Sequence, residues 1–252
     1  MEQTAAAACA ERDTFAQAPR LRGRRLASTL VVDVGGSSIK CLLSGLPGGA
    51  ADKRKFDSDA LMTPSRLVRG VHTAAKDWHF DRITLGYPGV VRHGVPVREP
   101  HNLGSGWVGF DFSAAFGCPV RMINDAAMQA LGSYQGGKLL FLGLGTGLGS
   151  ALIVDGMVLG LELGHLHWTK KRSYEDYVGK AGYARLGKKK WRHKVQRVVQ
   201  DFSNALLPDE IVLGGGQSKK LKQLPALARL GSNDDAFAGG FRLWEDDSLR
   251  LA

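Results

Sequence analysis

Asp33 stands in an apolar run, Leu30–Val34, directly before Gly35, Gly36, Ser37 and Ser38, with Lys40 close behind. A glycine turn bares backbone N–H groups that can wrap an anion. Ser37 and Ser38 add hydroxyl donors, and Lys40 adds positive charge. Asp33 repels phosphate, yet it can hold a magnesium ion, directly or through its waters, and the ion bridges to phosphate oxygens. The acid then holds the metal while the glycines hold the phosphates. A β-hairpin with a surface aspartate has the same lettering.

A second turn of this kind lies in "GLGTGLGS", Gly143–Ser150. Leu148 stands where a dinucleotide fingerprint needs glycine, and no Gly-Lys-Ser/Thr follows, so neither that fingerprint nor a P-loop is present. A strand follows the glycines. The reading is a hairpin turn around phosphate at Gly145, Thr146 and Gly147, with Thr146 as donor; a tight hairpin in a packed sheet is the plain alternative. "IVLGGG" ends a strand on Gly214, Gly215 and Gly216, which permits close approach of a flat base or ribose.

Three further groups offer polar side chains. "IND" places Asn124 and Asp125 between a strand and a helix. An aspartate there serves either as an N-cap or as a general base taking the proton of a sugar hydroxyl that attacks a phosphoryl group, with Asn124 fixing a neighbouring hydroxyl. Glu162 and His165 in "LELGHL" suit a polyol, although an exposed loop explains them equally. "PHNLGSGW" sets Asn102 beside glycines and Trp107, a core residue or a wall of a sugar pocket.

Strands bounded by glycines position these groups: Leu30–Val34, Ile39–Leu43, Ile83–Leu85, Val90–Val91, Val120–Ile123, Leu139–Leu144, Ser150–Val154 and Ile211–Leu213. Helices are expected from Thr63, opened by Thr-Pro, from Asp125, and over Lys188–Pro208, where Trp191, Val195, Val198, Val199, Phe202 and Leu206 share one face. "NDDAFAGGFRLWEDDSL" reads as a terminal helix whose Ala-Gly-Gly run allows close packing. Strand, glycine turn, strand occurs twice. This weak repetition predicts two α/β lobes facing across a cleft, with a boundary near Cys118–Asn124.

The 252 residues carry a formal charge of +10, which favours an anionic partner. No apolar run is long enough to span a membrane. Cys9, Cys41 and Cys118 form no CxxC pair and no even disulfide set, which reads as a reducing compartment without structural zinc. Residues 1–27 are alanine-rich and then arginine-rich, lack a signal-peptide apolar core and are expected to be a mobile tail. From Lys170 to Arg197 eleven Lys and Arg stand against two acids, Glu175 and Asp176. This is either a solvated helix face or a track for a polyanion. No nucleic-acid module accompanies it, so nucleic acid is not an expected partner.

Taken in order, "DVGGSSIK", "GYPGVV", "HNLGSGW", "IND", "LGLGTGLGSALIVDG", "LELGHL" and "IVLGGG" resemble the ROK family of sugar kinases, within the actin-like ATPase superfamily. The polyphosphate glucokinase branch is the most similar. The resemblance implies a two-lobed, ribonuclease H-like α/β fold with an interlobe cleft. Residues 28–122 would form the first lobe and 123–252 the second, with a C-terminal helix around 236–246 returning to the first lobe. It implies Asp125 as catalytic base and Asn102, Asn124, Asp125, Glu162 and His165 as sugar contacts. Asp33 to Lys40 correspond to the first phosphate segment, Gly145–Gly147 to the second, and Gly214–Gly216 to the adenosine segment.

One departure is plain: most ROK members carry a CxCGxxGCxE zinc motif after the Gly-His pair, and "LHWTKKRSYEDYVGKAG" contains no cysteine. No zinc site is expected, as in polyphosphate glucokinases. The glutamate closing that motif has only Glu175 as a candidate counterpart.

The expected activity is magnesium-dependent phosphoryl transfer from polyphosphate or ATP to glucose, giving glucose 6-phosphate, in a cytoplasmic homodimer. A sugar-sensing ROK protein without turnover and an actin-like polyphosphate phosphohydrolase are the alternatives.

Overall fold

The structure is a computed structural model that describes residues 27–252. The tail expected over residues 1–27 therefore lies, up to residue 26, outside the described residues. No helix among the described residues is long and apolar enough to cross a membrane.

The first part of the chain runs β1 (Thr29–Val34), β2 (Ser38–Leu43), β3 (Arg54–Asp57), α1 (Pro64–Ala74), β4 (Arg82–Tyr87), a small hairpin of β5 (Val91–Arg92) and β6 (Val95–Pro96), α2 (Phe112–Phe116) and β7 (Val120–Asn124). Its sheet has the order β3-β2-β1-β4-β7. The β1–β2 pair is antiparallel, while β4 runs parallel to β1 and β7 parallel to β4. Thr63 caps α1, its Oγ1 accepting from Arg66 N at 3.4 Å, and Pro64 opens the helix.

The second part continues with α3 (Asp125–Ser133), β8 (Lys138–Leu144), β9 (Leu148–Val154), β10 (Met157–Leu161), the hairpin β11 (His167–Thr169) and β12 (Arg172–Ser173), α4 (Glu175–Val178), α5 (Lys180–Leu206), β13 (Glu210–Gly214), β14 (Ala228–Leu230), α6 (Asp235–Glu245) and β15 (Arg250–Leu251). Its sheet has the order β14-β13-β8-β9-β10-β15. Again an antiparallel hairpin, β8–β9, is flanked by a parallel strand, β13. Both sheets thus carry a hairpin whose turn is one of the two glycine segments. The helix expected from Lys188 is the second half of α5. A first half, from Lys180, precedes it, and the two join at Gly187 with φ 71° and ψ 164°. Short edge strands β3, β14 and β15 escaped the sequence reading because they are brief and only partly buried.

Two faces of β1 are used differently, as strand alternation requires. Leu30, Val32 and Val34 pack into one core with Leu67 and Val71 of α1, Trp107 and Phe112. Val31 enters a second core, formed with α3 and α6 between the sheets. Asp33, two residues on, shares the Val31 face and so reaches the space between the two sheets. Helices α3 and α6 cross there at backbone distance. A Cβ on Gly132 would lie 1.8 Å from the Asp235 carbonyl oxygen, and one on Gly239 would lie 1.9 Å from that of Met128. This is the packing expected of the Ala-Gly-Gly run. Helix α6 also touches the first sheet: Thr84 Oγ1 donates to the Gly240 carbonyl at 2.6 Å and accepts from Trp244 Nε1 at 2.9 Å.

Candidate active site

A cleft of about 630 Å³ separates the two hairpin turns. From the first turn it is lined by Asp33, Gly35, Gly36, Ser37 and Lys40; from the second by Gly145, Thr146 and Gly147; and from the segment after β13 by Gly215 and Gly216. Gly35 N donates to Ser38 O at 3.2 Å and closes the first turn. In the second, Lys180 N at the start of α5 donates to the carbonyls of Gly145 (3.0 Å) and Thr146 (3.1 Å). Those oxygens are thereby engaged by a helix N-terminus rather than left to repel a phosphate. Lys40 Nζ pairs with Asp33 Oδ2 at 3.0 Å.

Two residues expected in this group do not line the cleft. Ser38 is the first residue of β2, and its carbonyl is the one that closes the turn. Gly214 ends β13 paired with Gly143, where a Cβ would lie 2.5 Å from the Phe141 ring. A side chain there would meet packed protein rather than the cleft.

A second cavity of about 320 Å³ adjoins the first. Asn102, Asn124, Asp125, Glu162 and His165 all line it, so the structure gathers residues from three separate motifs. His165 sits between two carboxylates: Glu162 Oε2 is 3.4 Å from Nδ1 and Glu175 Oε1 is 3.8 Å from Nε2. The His101 ring meets His165 edge-on at 5.4 Å. Burial pushes the Glu162 carboxyl above the usual range; His165 opposes the shift and Glu175 reinforces it. Ser150 Oγ donates to Leu161 O at 2.9 Å and accepts from Leu163 N at 3.1 Å, which fixes the turn carrying His165. Trp107 is a core residue, wholly buried, with Nε1 donating to Gly104 O at 2.7 Å.

Arg98, Glu99 and His101 also line this cavity and were missed in the sequence, although they lie within four residues of Asn102. Glu99 accepts from the backbone N–H groups of Trp107 (3.1 Å) and Val108 (3.2 Å), closing the loop that presents Asn102. Glu175 lines the pocket as well, so the carboxylate with no secure counterpart in the sequence is spatially beside His165.

Asp125 belongs to both cavities. It is the first residue of α3, and its Oδ1 accepts from Ala126 N at 2.8 Å. The N-cap is Asn124, whose Oδ1 accepts from Ala127 N at 3.0 Å while Nδ2 donates to Gly89 O at 3.0 Å. Asn124 therefore caps α3, and Asp125, the candidate base, is the residue after the cap. Asn124 lines the pocket with part of its amide engaged by protein, leaving one N–H proton and one oxygen lone pair for a ligand. Burial pushes the Asp125 carboxyl up to about 7, with the charges of Asp33 and Glu162 adding to the shift and the Ala126 N–H opposing it.

Residues 29–173 match the model of the ROK family. This chain belongs to the ROK family. It is 32% identical over 215 residues to a polyphosphate glucokinase of Mycobacterium tuberculosis (strain CDC 1551 / Oshkosh), covering 78% of this chain and 80% of that protein. An inorganic polyphosphate/ATP-glucomannokinase from Arthrobacter sp. strain KM superposes with a TM-score of 0.73 at 24% identity, over 84% of this chain and 96% of that one. A ROK family glucokinase from Streptomyces griseus, solved with glucose and AMPPNP, gives 0.64 at 16% identity, over 84% and 97%. The two-lobed actin-like ATPase architecture is thus shared with these structures.

No three His, Cys, Asp or Glu side chains among the described residues come together as a metal-holding cluster. A magnesium ion fits a different pattern: one carboxylate, several waters and the donor's own phosphates. Asp33, beside two glycine turns in the larger cleft, is a carboxylate that could hold such an ion.

Proposed function

We propose that this ROK protein is a glucose kinase that transfers the terminal phosphoryl group of polyphosphate or ATP to the 6-hydroxyl, giving glucose 6-phosphate. One observation carries the reading: Asp125, a carboxyl raised to about 7, lies where the glycine-walled cleft meets the polyol-type pocket. The kinship with polyphosphate glucokinases supplies the acceptor and the donor class.

In this reading Asn102, Glu162, His165 and Glu175 bind the hexose hydroxyls, and Asn124 chiefly holds Asp125 at the start of α3. Deprotonated Asp125 takes the proton of the 6-hydroxyl as its oxygen attacks the terminal phosphorus. The P–O bond to the rest of the donor breaks, and the shortened donor leaves with that bond's electron pair. Backbone N–H groups of Gly36, Ser37, Thr146 and Gly147, together with Lys40, neutralise the developing charge, while those of Gly35 and Gly145 close their own turns. Asp33 would hold a magnesium ion, which would supply charge neutralisation for the donor phosphates. Gly215 and Gly216 leave room for a nucleoside when ATP is the donor.

Polyphosphate has a specific observation in its favour. Lys180, Lys188, Lys189, Lys190, Lys219 and Lys220 make no ion pair with an acid among the described residues. Four of them lie on α5, whose first N–H already touches the second turn. Uncompensated charges leading away from the cleft suit a chain of phosphates. A homodimer in a reducing cytoplasm completes the proposal.

The test is glucose 6-phosphate formation with magnesium, using ATP and long-chain polyphosphate in parallel at low and high salt. Turnover with either donor is the expected result. No turnover with either, on glucose or a panel of other hexoses, would overturn the kinase reading; phosphate release without any sugar would favour a phosphohydrolase.

A further inference from the structure

Glu175 reaches the acceptor pocket from an unusual support. It opens α4, a helix of only four residues, after the exposed hairpin β11–β12. Such a short helix has little stability of its own. The segment is instead closed by aromatic rings. Trp168 of β11 stacks on Tyr174 at 5.4 Å with planes 15° apart, and meets Tyr177 of α4 edge-on at 4.9 Å. Tyr174 also packs on Phe202 of α5 at 4.7 Å. Lys194 of α5 places its Nζ over both remaining rings, 4.7 Å from Trp168 and 5.3 Å from Tyr177. The backbone agrees with this closure: Tyr174 N donates to Leu166 O at 3.0 Å, and Trp191 Nε1 donates to Val178 O at 2.8 Å.

Glu175 is thus bracketed by Tyr174 on one side and Tyr177 two residues on. Its carboxylate faces two ways. Oε1 lies 3.8 Å from His165 Nε2, and Oε2 lies so near Gly147 that a Cβ there would stand 2.3 Å from it. The same residue therefore touches the acceptor pocket and the second glycine turn, and its orientation depends on rings that touch neither.

We propose that Trp168, stacked on Tyr174 and edge-on to Tyr177 beneath Lys194, is a positioning residue for sugar binding, acting through Glu175. It holds α4 against α5 and so fixes the carboxylate beside His165. Aromatic pairs and a cation over a ring each contribute modestly, but here they act on one side chain whose direction matters more than its stability. Trp168 and Tyr174 are only half-buried, so their substitution is tolerable for the fold. The proposal rests on the glucose-kinase reading above.

The decisive experiment is a double-mutant cycle on glucose KM with Trp168→Ala, Glu175→Gln and both together. The expected result is a rise in glucose KM of about tenfold for Trp168→Ala, with the polyphosphate KM nearly unchanged and recovery in Trp168→Phe. In the Glu175→Gln background, Trp168→Ala should add almost nothing. Additive effects would make Trp168 a general stabiliser and overturn the proposal, as would an unchanged glucose KM. Should Trp168→Ala fail to fold, Lys194→Met enters the same cycle, with a smaller rise that must again vanish in Glu175→Gln. Wild-type protein inactive on every hexose would instead remove the kinase reading itself, a result separable from either outcome of the cycle.

Discussion

Asp33 and Lys40 face each other across the β1–β2 register, with Lys40 Nζ 3.0 Å from Asp33 Oδ2. The pairing follows from the hairpin: a turn closed at Ser38 puts the residue before Val34 opposite the residue after Ile39. A carboxylate facing an anion-binding cleft is thereby partly neutralised before any ligand arrives. Its charge is still felt by Asp125, which it pushes upward after burial has done so.

Asp33→Asn should therefore have two separable effects. Removing the charge lowers the Asp125 pKa, so the acid limb of the kcat/KM pH profile moves to lower pH. Removing the metal-facing carboxylate raises the magnesium concentration needed for half-maximal rate, by about tenfold or more. A limb that stays in place would mean the two aspartates are not electrostatically coupled in solution.

Asp125→Asn trades activity for stability. Loss of the base lowers turnover by about 10²–10⁴-fold, while glucose binding measured by calorimetry stays near the wild-type value. The stability effect has a sign fixed by linkage. The folded-state pKa, about 7, lies above the usual 3.8, so between those values the native state keeps a proton that the unfolded chain has lost. Wild-type stability then falls as pH rises from about 4 to 7. The asparagine variant has no such penalty, and its melting temperature should exceed the wild type's more at pH 8 than at pH 5. Equal differences at both pH values would contradict a buried, proton-holding Asp125.

Gly239→Ala tests the support beneath the site. The new Cβ would stand 1.9 Å from the Met128 carbonyl oxygen, backbone of the facing helix, so α3 and α6 must separate. Since Asp125 opens α3, this moves the candidate base as well as the core. Destabilisation of about 3 kcal/mol or more is expected, read as a lowered midpoint in urea. Ala238→Gly, at the exposed neighbouring position, should cost only about 1 kcal/mol.

Much of this was legible in the sequence, and the limits have physical causes. The two glycine hairpins and the long strands announced themselves because β-branched runs bounded by glycine admit few other conformations. Asp125 at a helix start was visible, but whether it or Asn124 caps the helix was not, since both residue types cap well; only the hydrogen bonds of Asn124 decide. Glu175 stood far from any turn or periodic pattern. Its place beside His165 depends on ring contacts between Trp168, Tyr174 and Tyr177, and such long-range packing leaves no periodic mark. Gly214 looked equivalent to Gly215 and Gly216, yet the strand ends between them and only the latter two reach the cleft.

The basic charge of α5 makes the last prediction. A polyphosphate chain neutralised by several lysines should bind with a steep salt dependence, because each contact releases counterions and the Debye length shortens to about 8 Å at physiological ionic strength. ATP, held by the glycine turns and one metal, should respond far less. Replacing Lys188, Lys189 and Lys190 together with glutamine should reduce the slope of log KM for polyphosphate against log salt by about 2–3 and leave the ATP slope almost unchanged. These lysines follow the break at Gly187 and make no ion pair with an acid among the described residues, so the triple variant should keep its melting temperature. An unchanged polyphosphate slope would return the lysines to the status of a solvated helix face and send the phosphate chain along another side of the cleft.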